Sequence, residues 1–112
     1  MVLEYSSADD LIAGDLGDGE DFTLPSGKVV RLRGLSRYEL IFNGKGTEDA
    51  GLIERRNVVS AVLEPKLTLP QVEAWQRNSR AGGDFKALSE AIRDLSGLGE
   101  GAQKSEVAEV SD

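Results

Sequence analysis

Apolar residues in the second half of the chain recur at the three- and four-residue spacing of helices that bury one face. The clearest stripe consists of Phe85, Leu88, Ile92 and Leu95. It predicts a helix over 85–95 that ends before Gly97. A longer stripe predicts another helix over 48–63, which stops before Pro65 because the residue preceding a proline disfavours the helical conformation.

Start signals mark the helices more sharply than the stripes do. Ser36 and Glu39 have the spacing of a capping box and predict a short helix over 37–43. This helix is too short to persist without packing, so we expect Tyr38, Ile41 or Phe42 to contact the core.

Three further residues are predicted to begin helices. Thr68 forms a second capping box with Gln71 and predicts a helix over 69–79. Thr47 is the expected cap of the helix over 48–63, and Asp84 is the expected cap of the last helix.

The segment before these helices alternates in the manner of strands. Pro25, Ser26 and Gly27 are turn residues between two short runs, which predicts a hairpin with strands at 22–24 and 28–33. We expect Val30 and Leu32 to face the core. Two strands are marginal alone, so the hairpin must lie on helices or pair with the sheet of another chain. The predicted fold class is mainly α with a short N-terminal β-hairpin (α+β) and about four helices.

Charge divides the chain into three parts. Residues 1–21 contain seven acids and no base, residues 22–97 have a net charge of +3, and residues 98–112 have a net charge of −3. We expect a flexible acidic arm over 1–21, a β-hairpin plus helical domain over 22–97, and a disordered tail over 98–112. The acidic pI is a property of the ends.

The amino-acid composition excludes most kinds of catalytic site. The 112 residues include no cysteine and no histidine, so nucleophilic triads, thiolate metal sites and disulfides are excluded. The acidic run 14–21 has glycine at two positions where a calcium loop needs oxygen ligands. The glycines around Gly99 follow a helix, whereas a dinucleotide motif follows a strand. We therefore expect no enzyme activity, no metal, no cofactor and, without a long apolar run, no membrane span.

Five arginines are candidates for a nucleic-acid-binding surface. They are Arg31, Arg33, Arg37, Arg55 and Arg56. A net charge of +3 is modest and the acidic ends repel phosphate, so nucleic acid is an improbable partner. The simpler interpretation is a solvated face with some ion pairing, for example of Arg33 or Arg37 with nearby acids.

Trp75 is the only tryptophan of the chain. Two interpretations stay open from the residues alone. It can be a partly buried core aromatic, or it can be an anchor in an interface with a partner, where tryptophan is enriched.

Three segments together resemble a known family. They read VRLRGLSRYELIF, ERRNVVSAVLEPKLTLPQVEAW and GDFKALSEAIRDLSGL, and they cover about residues 28–97. Their pattern of a short β segment, a helix, a proline, a restarted helix and a final helix resembles the tail assembly chaperones of long-tailed bacteriophages. The resemblance is to siphophages, especially those infecting actinobacteria.

The resemblance implies a non-enzymatic protein of virion morphogenesis. Such chaperones bind the tape measure protein and the tail tube protein in the host cytoplasm and are absent from the mature virion. Many have a longer form made by programmed frameshift, which would diverge here near Leu98. The formation of a homo-oligomer also stays an open alternative, because the hairpin of one chain could pair with the hairpin of another.

Under this resemblance, we expect the partner to lie in a groove along the helices predicted at 69–79 and 85–95. The candidate contact residues are Trp75, Val72, Leu69, Phe85 and Leu88. The alternatives are a structural tail or head–tail connector protein, a small nucleic-acid-binding regulator, and an unrelated host adaptor domain.

Overall fold

The computed structural model of the chain describes residues 3–99. Within this range, five helices accompany a three-stranded antiparallel sheet, which confirms the predicted α+β class. The elements in chain order are α1 (Ala8–Ala13), β1 (Glu20–Thr23), β2 (Val29–Leu32), α2 (Arg37–Asn43), α3 (Ala50–Ala61), β3 (Val62–Glu64), α4 (Leu69–Asn78) and α5 (Asp84–Leu95).

The predicted hairpin is present. Its turn closes with the Gly27 N–H donating to the Leu24 carbonyl at 2.8 Å, and Gly27 adopts the positive φ that a side chain would strain. On β2, Val30 and Leu32 face the core as predicted, with Leu32 fully buried.

A third strand, β3, was not predicted from the sequence. The helix predicted over 48–63 is shorter, because α3 ends at Ala61 and the chain continues directly into β3. β3 pairs antiparallel with β2, and Leu32 lies opposite Val62. The hairpin therefore completes its sheet within the chain. Pro65 has the predicted effect on Glu64, which is extended, but the helix has already ended at Ala61.

Both capping boxes are confirmed. At α2, Ser36 Oγ accepts the Glu39 N–H at 3.1 Å, while a carboxylate oxygen of Glu39 accepts the Ser36 N–H at 3.0 Å. At α4, Thr68 and Gln71 make the same reciprocal pair. These local signals place the first residue of each helix at Arg37 and Leu69, as the sequence predicts.

Two predicted caps are wrong. The cap of α3 is Asp49, whose side chain accepts the N–H groups of Gly51 and Leu52, and Thr47 instead accepts the N–H of Asp49. Asp84 does not cap α5 either.

The cap position of α5 is Gly83, which offers no side chain, and Asp84 lies in the first turn. The Asp84 carboxylate accepts the N–H and the Oγ–H of Ser26, at 3.0 and 2.6 Å. Asp84 thus ties the hairpin turn to α5.

The core lies between the sheet and helices α3, α4 and α5. The predicted stripe of α5 is confirmed in it, since Phe85, Leu88 and Ile92 are buried. Among residues 3–99, the buried apolar residues are Leu24, Val30, Leu32, Leu35, Val58, Ala61, Val62, Val72, Phe85, Leu88 and Ile92.

The predicted borders need correction at both ends. β1 begins at Glu20, so the arm ends at Gly19 rather than at residue 21. A side chain at Gly19 would collide with the Leu32 carbonyl, which makes this position part of the fold. Leu98 is half-buried and its N–H donates to the Arg93 carbonyl at 2.8 Å, so the tail does not begin there. The rest of the predicted tail, residues 100–112, lies outside the described residues.

The junction between β2 and α2 is fixed by the end of α5. Gly34 is buried so closely against the Leu95 carbonyl that a Cβ would overlap the backbone there. Next to it, the Leu35 N–H donates to Ser96 Oγ at 2.8 Å. This pair of contacts fastens the start of α2 to the last helix.

We expect Gly34→Ala to lower the free energy of unfolding by roughly 1–3 kcal/mol, because the added methyl must displace backbone atoms. Chemical denaturation of purified protein measures the effect. Gly82→Ala is the matched control, since Gly82 has open space around its Cβ and a φ that any residue can adopt. Equal losses in the two variants would contradict this account of the junction.

Candidate protein-binding surface

Helix α2 turns three of its four apolar residues outward, while the fourth, Leu40, packs against the core. Tyr38, Ile41 and Phe42 are 75%, 56% and 58% exposed. They lie at i, i+3 and i+4 and so share one side of the helix. Arg37 and Lys45, both exposed, flank them at the two ends. We call these five residues the α2 face. The prediction that one of the three apolar residues would hold α2 on the core is therefore wrong.

The aromatic rings of the α2 face are ordered against each other. The ring centroids of Tyr38 and Phe42 are 6.1 Å apart and the ring planes are 14° from parallel. Such a pair contributes about 0.5–1.5 kcal/mol beyond its buried area. It also presents a broad apolar ridge with few rotamers to lose on binding.

The inner side of α2 is held by polar contacts, beginning with an ion pair. Both terminal nitrogens of Arg33 donate to the two carboxylate oxygens of Glu39, at 2.8 and 2.6 Å. Both side chains are largely covered, with 22% and 27% exposed. The hydrogen bonds from Arg33 lower the pKa of Glu39 to about 2, and the pairing raises the pKa of Arg33.

An asparagine occupies the end of the same inner side. Asn43 is buried, and its amide N–H₂ donates to Asn57 Oδ1 at 3.0 Å and to Ser60 Oγ at 3.2 Å on α3. A buried amide without these partners would cost about 1–3 kcal/mol, so the contacts hold α2 at one rotation against α3.

Arg56 of α3 completes the attachment. Its guanidinium donates to the backbone carbonyls of Asn43 and Lys45, each at 3.1 Å. The Asn43 carbonyl ends α2 and the Lys45 carbonyl lies just beyond it, and a positive charge at a helix C-terminus is favourable. The rotation that exposes the α2 face is thus set by named contacts at both ends of the helix.

Most of the contact residues predicted from the sequence lie inside the fold. Val72 and Leu88 are fully buried and Phe85 is 5% exposed, so these three cannot touch a partner directly in this structure. Leu69, on the first turn of α4, is 38% exposed. An apolar helical stripe indicates one buried side, and here the covering surface is the chain itself.

Trp75 lies at the edge of the core. It is half-buried, and its ring meets the ring of Phe85 edge-on at a centroid distance of 5.4 Å. Its other side borders an open cleft between the hairpin turn and the α4–α5 loop. This geometry supports the core interpretation and leaves part of the ring accessible.

The five arginines considered as a nucleic-acid surface are mostly engaged within the chain. Arg31 pairs with Asp21 at 3.1 Å, and Arg55 donates to Gln76 Oε1 at 2.8 Å. Arg33 and Arg56 are used to hold α2, as described above. Arg37 is exposed, on the α2 face. The predicted pairing of Arg33 is therefore confirmed.

A small cleft opens between α2, α3 and α5. It encloses about 180 Å³ and is lined mainly by apolar residues, including Leu40, Ile53 and Ile92. Ser89 also lines it, and the buried hydroxyl of Ser89 has no hydrogen-bond partner among the described residues.

Within residues 3–99, no group of three acidic side chains is arranged to hold a metal ion. None of the helices described there is long and apolar enough to cross a membrane. The chain matches no protein-family model, no curated protein and no solved structure.

The Arg33–Glu39 pair makes stability depend on pH. Because the folded pKa of Glu39 is lowered to about 2 from 4.5, its contribution is complete above 4.5 and is lost as the pH falls toward 2. We expect Glu39→Gln to lower the free energy of unfolding by roughly 1–2 kcal/mol near neutral pH. Denaturant unfolding across this pH range should show the gap to the wild type closing in acid.

Glu90→Gln is the control for this titration. Glu90 is exposed and lies 3.6 Å from Lys86, so this weak pair should contribute little. A gap between wild type and Glu39→Gln that stayed constant down to the lowest pH would contradict the role given to the ion pair.

Proposed function

We propose that this chain is a non-catalytic binding protein that acts as a tail assembly chaperone of a long-tailed bacteriophage. In this role it binds the tape measure protein, and with it tail tube subunits, in the cytoplasm of the infected host. The observation that carries the proposal is the α2 face, an exposed ridge of stacked aromatic and aliphatic side chains. Contiguous apolar surface of this kind marks interaction sites.

The resemblance noted in the sequence supports the same role. The α2 face belongs to the first of the three similar segments, VRLRGLSRYELIF. Composition supports a role without chemistry, because the chain contains neither histidine nor cysteine. The perturbed pKa values of Arg33 and Glu39 arise from their mutual pairing and need no catalytic explanation.

A helical partner fits the α2 face better than an extended one. Tyr38, Ile41 and Phe42 form a ridge at helical spacing, and such ridges pack into the grooves between side chains of another helix. A tape measure protein is long and helical with apolar stretches, so many copies of a small domain could cover it. A ridge of three side chains gives a small interface, which suits a complex that must later be released.

We expect Tyr38→Ser combined with Phe42→Ser to abolish most of the binding to the tape measure protein without unfolding the chain. This chain and the tape measure protein of the same phage would be co-expressed. The amount of soluble tape measure protein that co-purifies with the chain would be measured. Both substituted side chains are exposed, so circular dichroism and thermal unfolding should stay close to the wild type.

Val29→Ser is the matched control, because Val29 is also exposed, at 60%, but lies on the sheet. It should leave co-purification unchanged. Equal co-purification by the double variant and the wild type would remove the α2 face as the binding surface, and no binding by the wild type would remove the proposed partner.

Presence in the virion separates a chaperone from a structural tail or connector protein. We expect mass spectrometry of purified virions to lack this chain, while lysates of infected cells contain it. Stoichiometric recovery from virions would overturn the chaperone role and leave a structural one.

A further inference from the structure

The acidic arm, residues 3–19, carries a second apolar surface that the fold leaves exposed. Its helix α1 begins after Ser7, whose hydroxyl oxygen accepts the Asp10 N–H at 3.1 Å. Leu11 and Ile12 are 71% and 81% exposed, and α1 has no buried residue. A six-residue helix gains too little from its own hydrogen bonds to persist alone in water, so it needs a surface to pack on.

The α2 face has the complementary chemistry. Its apolar ridge lies between Arg37 and Lys45, and the single acid of the helix, Glu39, faces inward in its ion pair. The arm carries the opposite charge around its apolar pair, because Leu11 and Ile12 lie between Asp10 and Asp15. The charges would attract and the apolar residues would be covered in the same contact.

The arm already lies beside the N-terminal end of α2, where the α2 face begins with Arg37. Residues Ile12 and Leu16 of the arm line one cleft together with Arg37 and Leu40 of α2. The cleft encloses about 420 Å³. The C-terminal end of α1 and the N-terminal end of α2 are therefore neighbours, while the apolar side chains of both helices stay exposed.

Glycines give the arm the freedom to pivot. Gly14 and Gly17 adopt positive φ values, which other residues rarely take, and a Cβ at either position would meet little. Because Gly19 is packed against the Leu32 carbonyl, the free tether consists of residues 14–18, which can span about 17 Å when extended. Helix α2, with seven residues, is only about 10 Å long. The tether is therefore longer than α2, and it holds α1 beside that helix at an effective concentration in the millimolar range.

We propose that α1 docks on the α2 face of its own chain and covers it until a partner displaces it. Leu11 and Ile12 pack on Tyr38 and Phe42, and the arm acids lie near the basic ends of the face. The docked arm is a tethered competitor that hides the apolar ridge in free copies. This inference rests on the proposed function only in taking the α2 face as the surface that a partner uses.

The docking can be measured in the free full-length chain by nuclear magnetic resonance. Because the sequence has no cysteine, Ala8→Cys provides a single site for a spin label on α1. We expect the label to weaken the amide signals of residues 38–42 several-fold. Adding Leu11→Ser and Ile12→Ser should restore those signals, whereas adding Leu3→Ser, an exposed arm residue outside α1, should not.

Two outcomes would overturn the proposal. Weakening confined to the arm, or unchanged by the Leu11 and Ile12 substitutions, would show that α1 does not dock through its apolar pair. Weakening that appears when a labelled chain is mixed with an unlabelled, isotope-enriched one would instead indicate docking onto a second copy.

Salt and partner binding complete the test. Raising the salt from about 0.1 M to 1 M shortens the screening length from about 10 Å to 3 Å, so the label effect should weaken without vanishing. The variant with Leu11→Ser and Ile12→Ser should bind the tape measure protein several-fold more tightly. If the label effect is present but the tape measure protein does not bind, the proposed partner fails and the docking stands.

Discussion

The rotation of α2 about its own axis is the constraint on which the exposed surface depends. Arg33 reaches Glu39 from the end of β2, and Asn57 of α3 holds Asn43 at the other end of the helix. Turning α2 to bury Tyr38 and Phe42 would break the ion pair and leave a buried amide without partners. Each loss costs more than a surface contact returns, so the apolar ridge remains outside.

The same region also joins the sheet to the last helix. Gly34 admits the Leu95 carbonyl at a distance that no side chain would allow, and Ser96 receives the Leu35 N–H. These contacts follow directly after Arg33, so the ion pair, the backbone junction and the start of α2 form one continuous unit. A surface mounted in this way loses little freedom when a partner binds, which favours affinity for a small contact area.

Local signals in the sequence predicted the parts of this fold that depend on neighbouring residues. The capping boxes at Ser36 and Thr68 gave the first residue of α2 and α4, and the stripe of α5 gave its buried face. The strand β3 was not predictable in the same way. Its residues continue the helical stripe of α3, and they form a strand because β2, thirty residues earlier, needs a partner on that side.

The candidate surface shows the same limit. Tyr38, Ile41 and Phe42 were visible as one side of a helix, but their direction depends on Arg33, Arg56 and Asn57, which come from other elements. Val72, Phe85 and Leu88, from the stripes of two helices, were expected to contact a partner, and they lie in the core. Periodicity identifies which residues share a side, whereas the partners available in three dimensions decide which side is buried.

Charge disfavours a symmetric contact between two copies through the α2 face. A symmetric contact would bring the same face of each copy together, so that Arg37 and Lys45 of one copy would meet those of the other. Like charges at the rim of an apolar contact oppose it. An acidic segment with an apolar pair would instead be attracted by these charges. Residues 1–21, with seven acids, contain such a segment within the same chain. The charges at the rim of the α2 face therefore oppose its contact with a second α2 face and favour its contact with an acidic apolar helix.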